Sequence, residues 1–386
     1  MENLDRIGEY IKCSVVGEEY KAYFPKPLPP LPPIVMESVY LLLDQANIAL
    51  GRLDGISAFL PDKSLFLYMY IRKEAVLSSQ IEGTQSTLSE LLLYENHETA
   101  GVPNQDVVDV SNYVAAMEHG LKRIQGGFPL SLRLIREMHE ILLNKGRGSS
   151  KQPGEFRRSQ NWIGGTRPGN ARFVPAPPER LMEALDALEK FLHDESIKLP
   201  TLIKAALAHH QFETIHPFLD GNGRLGRLLI TFILCVDGVM KDPTLYLSLY
   251  FKKNRQSYYD HLQLVRETGD WEEWLQFFLK GVIETANQAV DTARTIQELF
   301  TLDRKKIESA GKSSASMLVV HHYLQRHPVT SAKNVVANCD VTLPTANSAL
   351  SHLEEMGIVK EVTGKVRNKI YVYQKYLDTL SEGAGV

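Results

Sequence analysis

Cysteine is scarce. Cys13, Cys235 and Cys339 are the three present in 386 residues, widely separated and without Cys-x-x-Cys spacing. An odd number so placed excludes a disulfide framework and a cysteine-based zinc site. Long apolar runs are lacking as well: the longest, near Leu228 to Val236, falls far short of the ~20 residues that span a bilayer. Residues 1–16 carry acids and no apolar stretch of the kind a secretion signal needs, so a cytoplasmic location and no membrane partner are expected. Nor is one sign of charge in excess, since 43 Lys and Arg stand against 46 Asp and Glu. A formal charge of -3 provides no global basic field to draw nucleic acid or an anionic membrane. What is present is an ordinary globular balance, 44% hydrophobic and 23% charged. At about 150 residues per domain, the length predicts two or three domains.

Residues 1–35 read as irregular and end in the proline run Pro25 to Pro33, an extended strap feeding the first helix. From Val35 to about Ser309 helical periodicity dominates, with patterns over 35–60, 65–95, 105–124, 178–193, 224–237, 254–266 and 270–307. Ser131 caps a helix whose apolar face is Leu132, Ile135, Met138 and Leu142, and Pro200 opens another lined by Leu202, Ala205, Ala206, His209 and Phe212. Residues 153–177 break the pattern. There Trp162-Ile163 and Phe173-Val174 flank a turn-rich stretch from Gly164 to Asn170, which predicts a β-hairpin packed on helices as a flap. The shift at Gly311-Lys312-Ser313-Ser314 predicts a linker with few contacts across it. Beyond it, three helices and two strands around the turn Thr363-Gly364-Lys365 form a winged helix-turn-helix pattern. The third of these helices, 344–356, has no Lys or Arg, and basic residues gather in the wing at Lys360, Lys365, Arg367 and Lys369. DNA affinity depends largely on phosphate neutralisation, so protein contact or a homodimer is expected there ahead of DNA.

The chemistry concentrates between His216 and Arg227. Gly221 and Gly223 let the backbone turn tightly and aim successive N–H groups at one anion. An apolar helix starts at once behind them and adds the partial positive charge of its N-terminus. Arg224 and Arg227, three apart, share a helix face near that end and can fork onto phosphate oxygens. Asp220 is a hard oxygen ligand suited to a Mg²⁺ shared with substrate phosphates. The imidazole of His216 titrates close enough to neutrality to take a proton from an incoming hydroxyl.

The run His216-Pro217-Phe218-Leu219-Asp220-Gly221-Asn222-Gly223-Arg224-Leu225-Gly226-Arg227 resembles the Fic family pattern at every fixed position. The resemblance implies a mainly α fold: an all-helical Fic core with a β-hairpin flap, plus a small C-terminal winged helix-turn-helix domain. It implies transfer of AMP from ATP, with Mg²⁺, to a Tyr, Thr or Ser hydroxyl of a target protein. His216 would be the base and Asp220 the metal ligand. Gly221, Asn222, Gly223 and Arg224 would hold the phosphates, with Leu225 and Gly226 in the same nucleotide-binding stretch, and Arg227 would clamp the terminal phosphate. The Doc branch, which transfers phosphate, has an altered acid and Gly-Asn-Gly run; this chain keeps both, which favours AMP. Ser78-Ser79-Gln80-Ile81-Glu82-Gly83 is similar to the end of an inhibitory helix in some members, where Ser78, Glu82 and Gly83 hold the signature positions. A carboxylate at Glu82 would pair with Arg227 and repel the γ-phosphate. Tyr259 stands where members place an aromatic beside adenine, and the hairpin 161–174 is similar to the flap that takes up a target segment by strand addition. The resemblance divides the chain into an N-terminal helical region with strap and inhibitory helix at 1–104, a catalytic core at 105–310 and a winged helix domain at 311–386. Two further readings stay open: removal of AMP from modified protein, and a nucleotide-sensing module that binds DNA or protein through the winged helix.

Overall fold

The computed structural model describes residues 2–15, 17–59, 63–95 and 105–382, so the domain boundary expected at 104 and the last residues of the chain lie outside it. It opens on two antiparallel strands, β1 (Glu9–Val15) and β2 (Glu18–Phe24), with Glu9 opposite Phe24 and Val15 opposite Glu18. The helices α1 (Tyr40–Phe59), α2 (Lys63–Ile81), α3 (Leu88–Glu95), α4 (Gln105–Gln125) and α5 (Leu132–Leu142) follow. After the flap region come α6 (Leu181–His193), α7 (Thr201–Ile215), α8 (Asn222–Val236), α9 (Ser248–Lys253), α10 (Arg255–Thr268) and the long α11 (Trp271–Glu308). The C-terminal unit runs α12 (Ser314–Arg326), β3 (Val329–Ser331), α13 (Ala332–Asn338), α14 (Leu343–Glu355), β4 (Lys360–Glu361), β5 (Ile370–Val372) and α15 (Gln374–Ser381). Its three strands form an antiparallel sheet in the order β3-β5-β4. Among the described residues no helix is long and apolar enough to cross a membrane.

The centre of the molecule is the pair α7 and α8. Both are buried almost all round, including His209, His210 and Gln211 on α7. A helix without a polar face must sit inside a shell of others, and here α2, α4, α5, α6, α10 and α11 supply it. The packing against α8 is close: a Cβ on Gly120 of α4 would lie 2.5 Å from Phe232 and 2.6 Å from the sulfur of Met138. On α5 the cap is the expected one. Ser131 accepts from the Leu134 N–H, and Leu134, Ile135, Met138 and Leu142 form the buried face; such caps contribute about 1 kcal/mol.

Four expectations change. Residues 1–35 are not irregular throughout, because the β-forming runs on either side of Gly17, which turns at φ +82°, pair as a hairpin. The helix expected over 65–95 is broken at Glu82 to Thr87, where Gly83 has φ +97°. The flap closes on one antiparallel pair, Ile163 with Phe173, rather than on two regular strands. Its tip is instead organised by Asn170, whose Oδ1 accepts from the N–H groups of Thr166 and Arg167, both at 3.0 Å. Finally, the C-terminal unit is not loosely linked. It packs on α2, α3 and α11, with the Tyr373 hydroxyl on Asp303 at 2.6 Å and the Lys73 ammonium on the Glu382 carbonyl at 3.2 Å.

Candidate active site

The helix α7 stops because His216 takes a left-handed conformation, φ +50° and ψ 62°, while its N–H still caps the Phe212 carbonyl. The loop that follows is held from inside. Asn222 bridges both main-chain groups of Phe218, accepting from its N–H and donating to its carbonyl, each at 2.9 Å. Phe218 in turn stacks on His139, with ring centroids 3.7 Å apart. Gly154 donates its N–H to His139 Nδ1, so His139 Nε2 carries the proton that meets the Asp220 carbonyl at 3.0 Å. Gly221, at φ +79°, completes the turn into α8. The first N–H groups of α8 have no intrahelical acceptor; they form the cradle.

Glu82 lies against that cradle. A Cβ on Gly223 would lie 2.3 Å from Glu82 Oε1, so only glycine lets the carboxylate rest on the first turn of α8. The same oxygen accepts from Arg227 at 2.7 Å. Ser78, one turn earlier on α2, takes the rest of the guanidinium: Arg227 Nε donates to its Oγ at 2.7 Å and a terminal nitrogen to its carbonyl at 2.9 Å. The Arg227 side chain is 2% exposed and that of Glu82 36%, so the cation is locked inside while the carboxylate faces a cavity. Burial would raise the Glu82 carboxyl, but the charge and hydrogen bond of Arg227, with Arg224 and His216 behind, hold it below the usual range.

The cavity measures about 230 Å³ and is lined by Ser79, Glu82, Thr84, Asp109, Arg147, Asp220 and Arg224. Asp220 is partly exposed on its wall, with Oδ1 accepting the Gly221 N–H at 2.6 Å and lying 3.6 Å from the Arg224 guanidinium. One hard carboxylate in that place fits a cation carried in on phosphates; among the described residues there is no cluster of three or more His, Cys, Asp or Glu that would hold a metal without them. A larger cavity of about 500 Å³, between the strap and α6, contains none of the expected site residues.

Burial, with the charges of Arg157 and Arg266, pushes the His216 imidazole down to about 4, so it is neutral at physiological pH. Its Nδ1 lies 3.4 Å from the Glu213 carbonyl, which assigns the proton to Nδ1 and leaves Nε2 with a free lone pair. Burial also pushes Glu213 and Glu74, two carboxyls behind Arg227, up to about 7.

The other expected residues are placed as follows. Gly83 ends α2 in an exposed turn. Leu225 packs in the core, and Gly226 backs onto α7, its carbonyl 2.8 Å from His209 Nδ1. Tyr258 is fully buried and bonded to His209, whereas Tyr259 is half-buried and feels the charges of Glu82 and Arg227.

The matches to known families fall on these residues. The description "Fic/DOC family N-terminal" matches residues 40–122, which carry Ser78, Glu82 and Gly83, and "Fic/DOC family" matches 129–234, which carry His216 to Arg227. The chain belongs to the Fic/DOC family. This Fic chain is 32% identical over 202 residues to the protein adenylyltransferase Fic of Drosophila yakuba, covering 51% of this chain and 37% of the relative. To that of Drosophila persimilis it is 28% identical over 246 residues, covering 62% and 45%. It thus spans less than half the length of these curated relatives. Its fold is that of a Fic family protein from Desulfovibrio desulfuricans, at TM-score 0.58 and 18% identity over 89% of this chain and 97% of the other. A Fic domain containing signaling protein from Bacteroides thetaiotaomicron matches at 0.51 and 22%, over 66% and 97%.

Sequence reasoning missed several residues around the Fic motif. Arg147 donates to the Glu82 carbonyl at 3.2 Å, and Tyr113 meets Glu74 at 3.3 Å. Arg157 and Asn161 both donate to the His216 carbonyl, at 2.9 and 3.2 Å. All lie far from their partners in sequence, and no local pattern marks them.

Proposed function

We propose that this Fic chain transfers AMP from ATP to hydroxyls of a target protein and of itself, and that Glu82 restrains the reaction. The observation that carries this reading is a buried arginine already paired with one of the protein's own carboxylates against a helix N-terminus, beside a neutral imidazole. An anion site of that kind is a phosphate site in waiting. With the Glu82 carboxylate displaced, the N–H groups from Gly221 to Gly223 and the Arg224 guanidinium would receive the phosphates, and Arg227 the terminal one. Nε2 of His216 would take the proton of a target Tyr, Thr or Ser hydroxyl. Its oxygen would then bond to the α-phosphorus, the bond from that phosphorus to the bridging oxygen of the β-phosphate would break, and pyrophosphate would leave. Asp220 would hold Mg²⁺, which neutralises phosphate charge when bound. Tyr259 would border the adenine, and the flap around Ile163 and Phe173 would seat an extended target segment.

For the C-terminal unit we infer a winged helix that contacts protein, with a homodimer and DNA as further partners of the same surface. Free Cys13, Cys235 and Cys339 agree with the reducing cytoplasm as its location.

Incubation with labelled ATP and Mg²⁺ tests the reaction. Wild type should label itself. His216→Ala should lose about 10²–10⁴-fold in rate, as expected for a missing general base, while keeping most of its ATP affinity. Near-normal labelling by that variant would remove His216 from the mechanism.

A further inference from the structure

We infer that Arg157 and Asn161, at the root of the flap, are positioning residues that fix the His216 imidazole and join it rigidly to the flap. This rests on the reading of His216 as the base.

A left-handed backbone is uncommon for a residue other than glycine and persists only where the surroundings hold it. At His216 the hold comes from outside its own helix. Arg157 donates Nε to the His216 carbonyl at 2.9 Å and one terminal nitrogen to Ile215 at 3.4 Å and Ala176 at 2.6 Å. Its other terminal nitrogen reaches the Ser159 carbonyl at 3.4 Å, and its own N–H donates to Pro217 at 2.9 Å. Asn161 Nδ2 adds bonds to the carbonyls of His216 at 3.2 Å and Phe218 at 2.9 Å. The carbonyls of His216, Pro217 and Phe218 are thus all fixed by the flap root.

The guanidinium is buried, and among the described residues its hydrogen-bond partners are all neutral carbonyls. A charge so placed is costly unless its acceptors carry compensating dipoles. The C-terminus of α7 supplies them, and a rigid fork can meet several at once. Because Ala176 lies on the returning leg of the flap and Asn161 on the outgoing one, a single cluster ties both legs to the catalytic loop. A target segment seated on the flap is thereby held in register with Nε2.

The charged and titratable groups around His216 are Arg157 from the flap root, Arg266 from α10, Glu82 from the turn after α2 and Glu213 on α7 itself. Arg157 contributes the largest charge effect after burial, so it also keeps the imidazole in its basic, neutral form.

The test compares Arg157→Gln, Arg157→Lys and Asn161→Ala with His216→Ala. kcat and KM for ATP would be measured by labelling, and the His216 titration by NMR. Misplacing a reacting group by about 1 Å can cost ~10²-fold, so kcat should fall roughly 10- to 100-fold in all three variants. KM for ATP should stay within about threefold, since the phosphate cradle is untouched. Arg157→Gln should also move the His216 titration up towards ordinary imidazole values, whereas Arg157→Lys, which keeps the charge, should not. A purely structural role would reduce the yield of folded protein and leave kcat per folded molecule and the titration unchanged; that result overturns the inference. Should Arg157→Gln not fold, unchanged kcat in Asn161→Ala overturns it equally. Activity surviving in His216→Ala would instead defeat the base assignment, and loss there with normal flap-root variants would defeat only this inference.

Discussion

On the proposed reading, the terminal phosphate of ATP would compete for a guanidinium that Glu82 already holds at 2.7 Å. The carboxylate has the advantage of attachment, since Ser78 on the same helix binds the same guanidinium at 2.7 Å. Glu82→Gly should therefore raise the initial rate of self-labelling. The gain should fall on the competence of bound ATP more than on its affinity, because the carboxylate bonds Arg227 and leaves the N–H groups of Asn222 and Gly223 to the other phosphates in either protein. Adding Arg227→Ala should erase the gain, as residues acting on one group do not contribute independently. A Glu82→Gly protein no faster than wild type would sink the restraint, and loss of activity on AMP-modified protein would recast Glu82 as a hydrolytic residue. Behind Arg227, burial raises Glu213 from 4.5 to about 7. A carboxyl whose folded pKa exceeds its unfolded one binds a proton on folding, so its contribution is present near pH 4.5 and lost as pH rises through 7. Glu213→Gln should accordingly gain Tm over wild type between pH 5 and pH 8. A Tm difference that stays constant across that range would show that Glu213 does not change protonation on unfolding.

The contact between α2 and α8 shows how element spacing gathers polar groups around Arg227. Glu74 and Ser78 lie one turn apart on one side of α2, and Glu82 follows four residues on, in the turn that ends the helix. Ser78 and Glu82 bond Arg227, and Glu74 stands behind it on Ser248 and Tyr113. The meeting of Glu82 with Arg227 was legible, because the two motifs are local and dense in special residues, whereas Glu74 and its partners were not. Helix α5 was legible too, from its cap and apolar spacing. The β1–β2 hairpin was not recognised, although Tyr10, Ile11, Tyr20 and Tyr23 supply strand-forming residues around Gly17. Charged neighbours at Glu9, Lys12, Glu18, Glu19 and Lys21 obscured the alternation. The flap was legible as a β-prone interruption, but its pairing was overestimated. Arg167 to Asn170 bend too tightly for further rungs, and Val174 gives its carbonyl to the Tyr23 N–H at 2.8 Å. Arg157 could not be read at all, since the His216, Ile215 and Ala176 carbonyls that its side chain meets lie 19 to 59 residues away.

For the whole molecule, the decisive feature is that the C-terminal unit packs on α2, the helix that leads into Glu82. Helices α12 and α15 meet α2 on its far side, and β3 and α15 meet α3. The seam is apolar and polar at once. Phe300 of α11 packs on Tyr376 with centroids 5.0 Å apart, buried Asp303 takes the Tyr373 hydroxyl, and His327 faces Tyr68 of α2. Lys73, next to Glu74, is fully buried, bonded to Glu382 and set over the Tyr246 ring at 4.4 Å. Ending the chain at Ala310 would strip these partners away. Apolar surface on α11 and α2 would return to water at a cost of about 25 cal/mol per Å², and Asp303 would lose the Tyr373 hydroxyl. The shortened protein should have a lower Tm. It should also dock α2 less firmly, so that self-labelling per folded molecule rises towards the Glu82→Gly rate. If the gain comes from release of the carboxylate, shortening a Glu82→Gly chain should add nothing further. Initial labelling rates of the four proteins (full-length and shortened, each with and without Glu82) therefore separate coupling from simple truncation. A shortened wild type that matches the full chain in both Tm and rate would make the C-terminal unit an independent appendage. An increase that persists in the Glu82→Gly background would mean that the unit restrains the active site by some route other than α2.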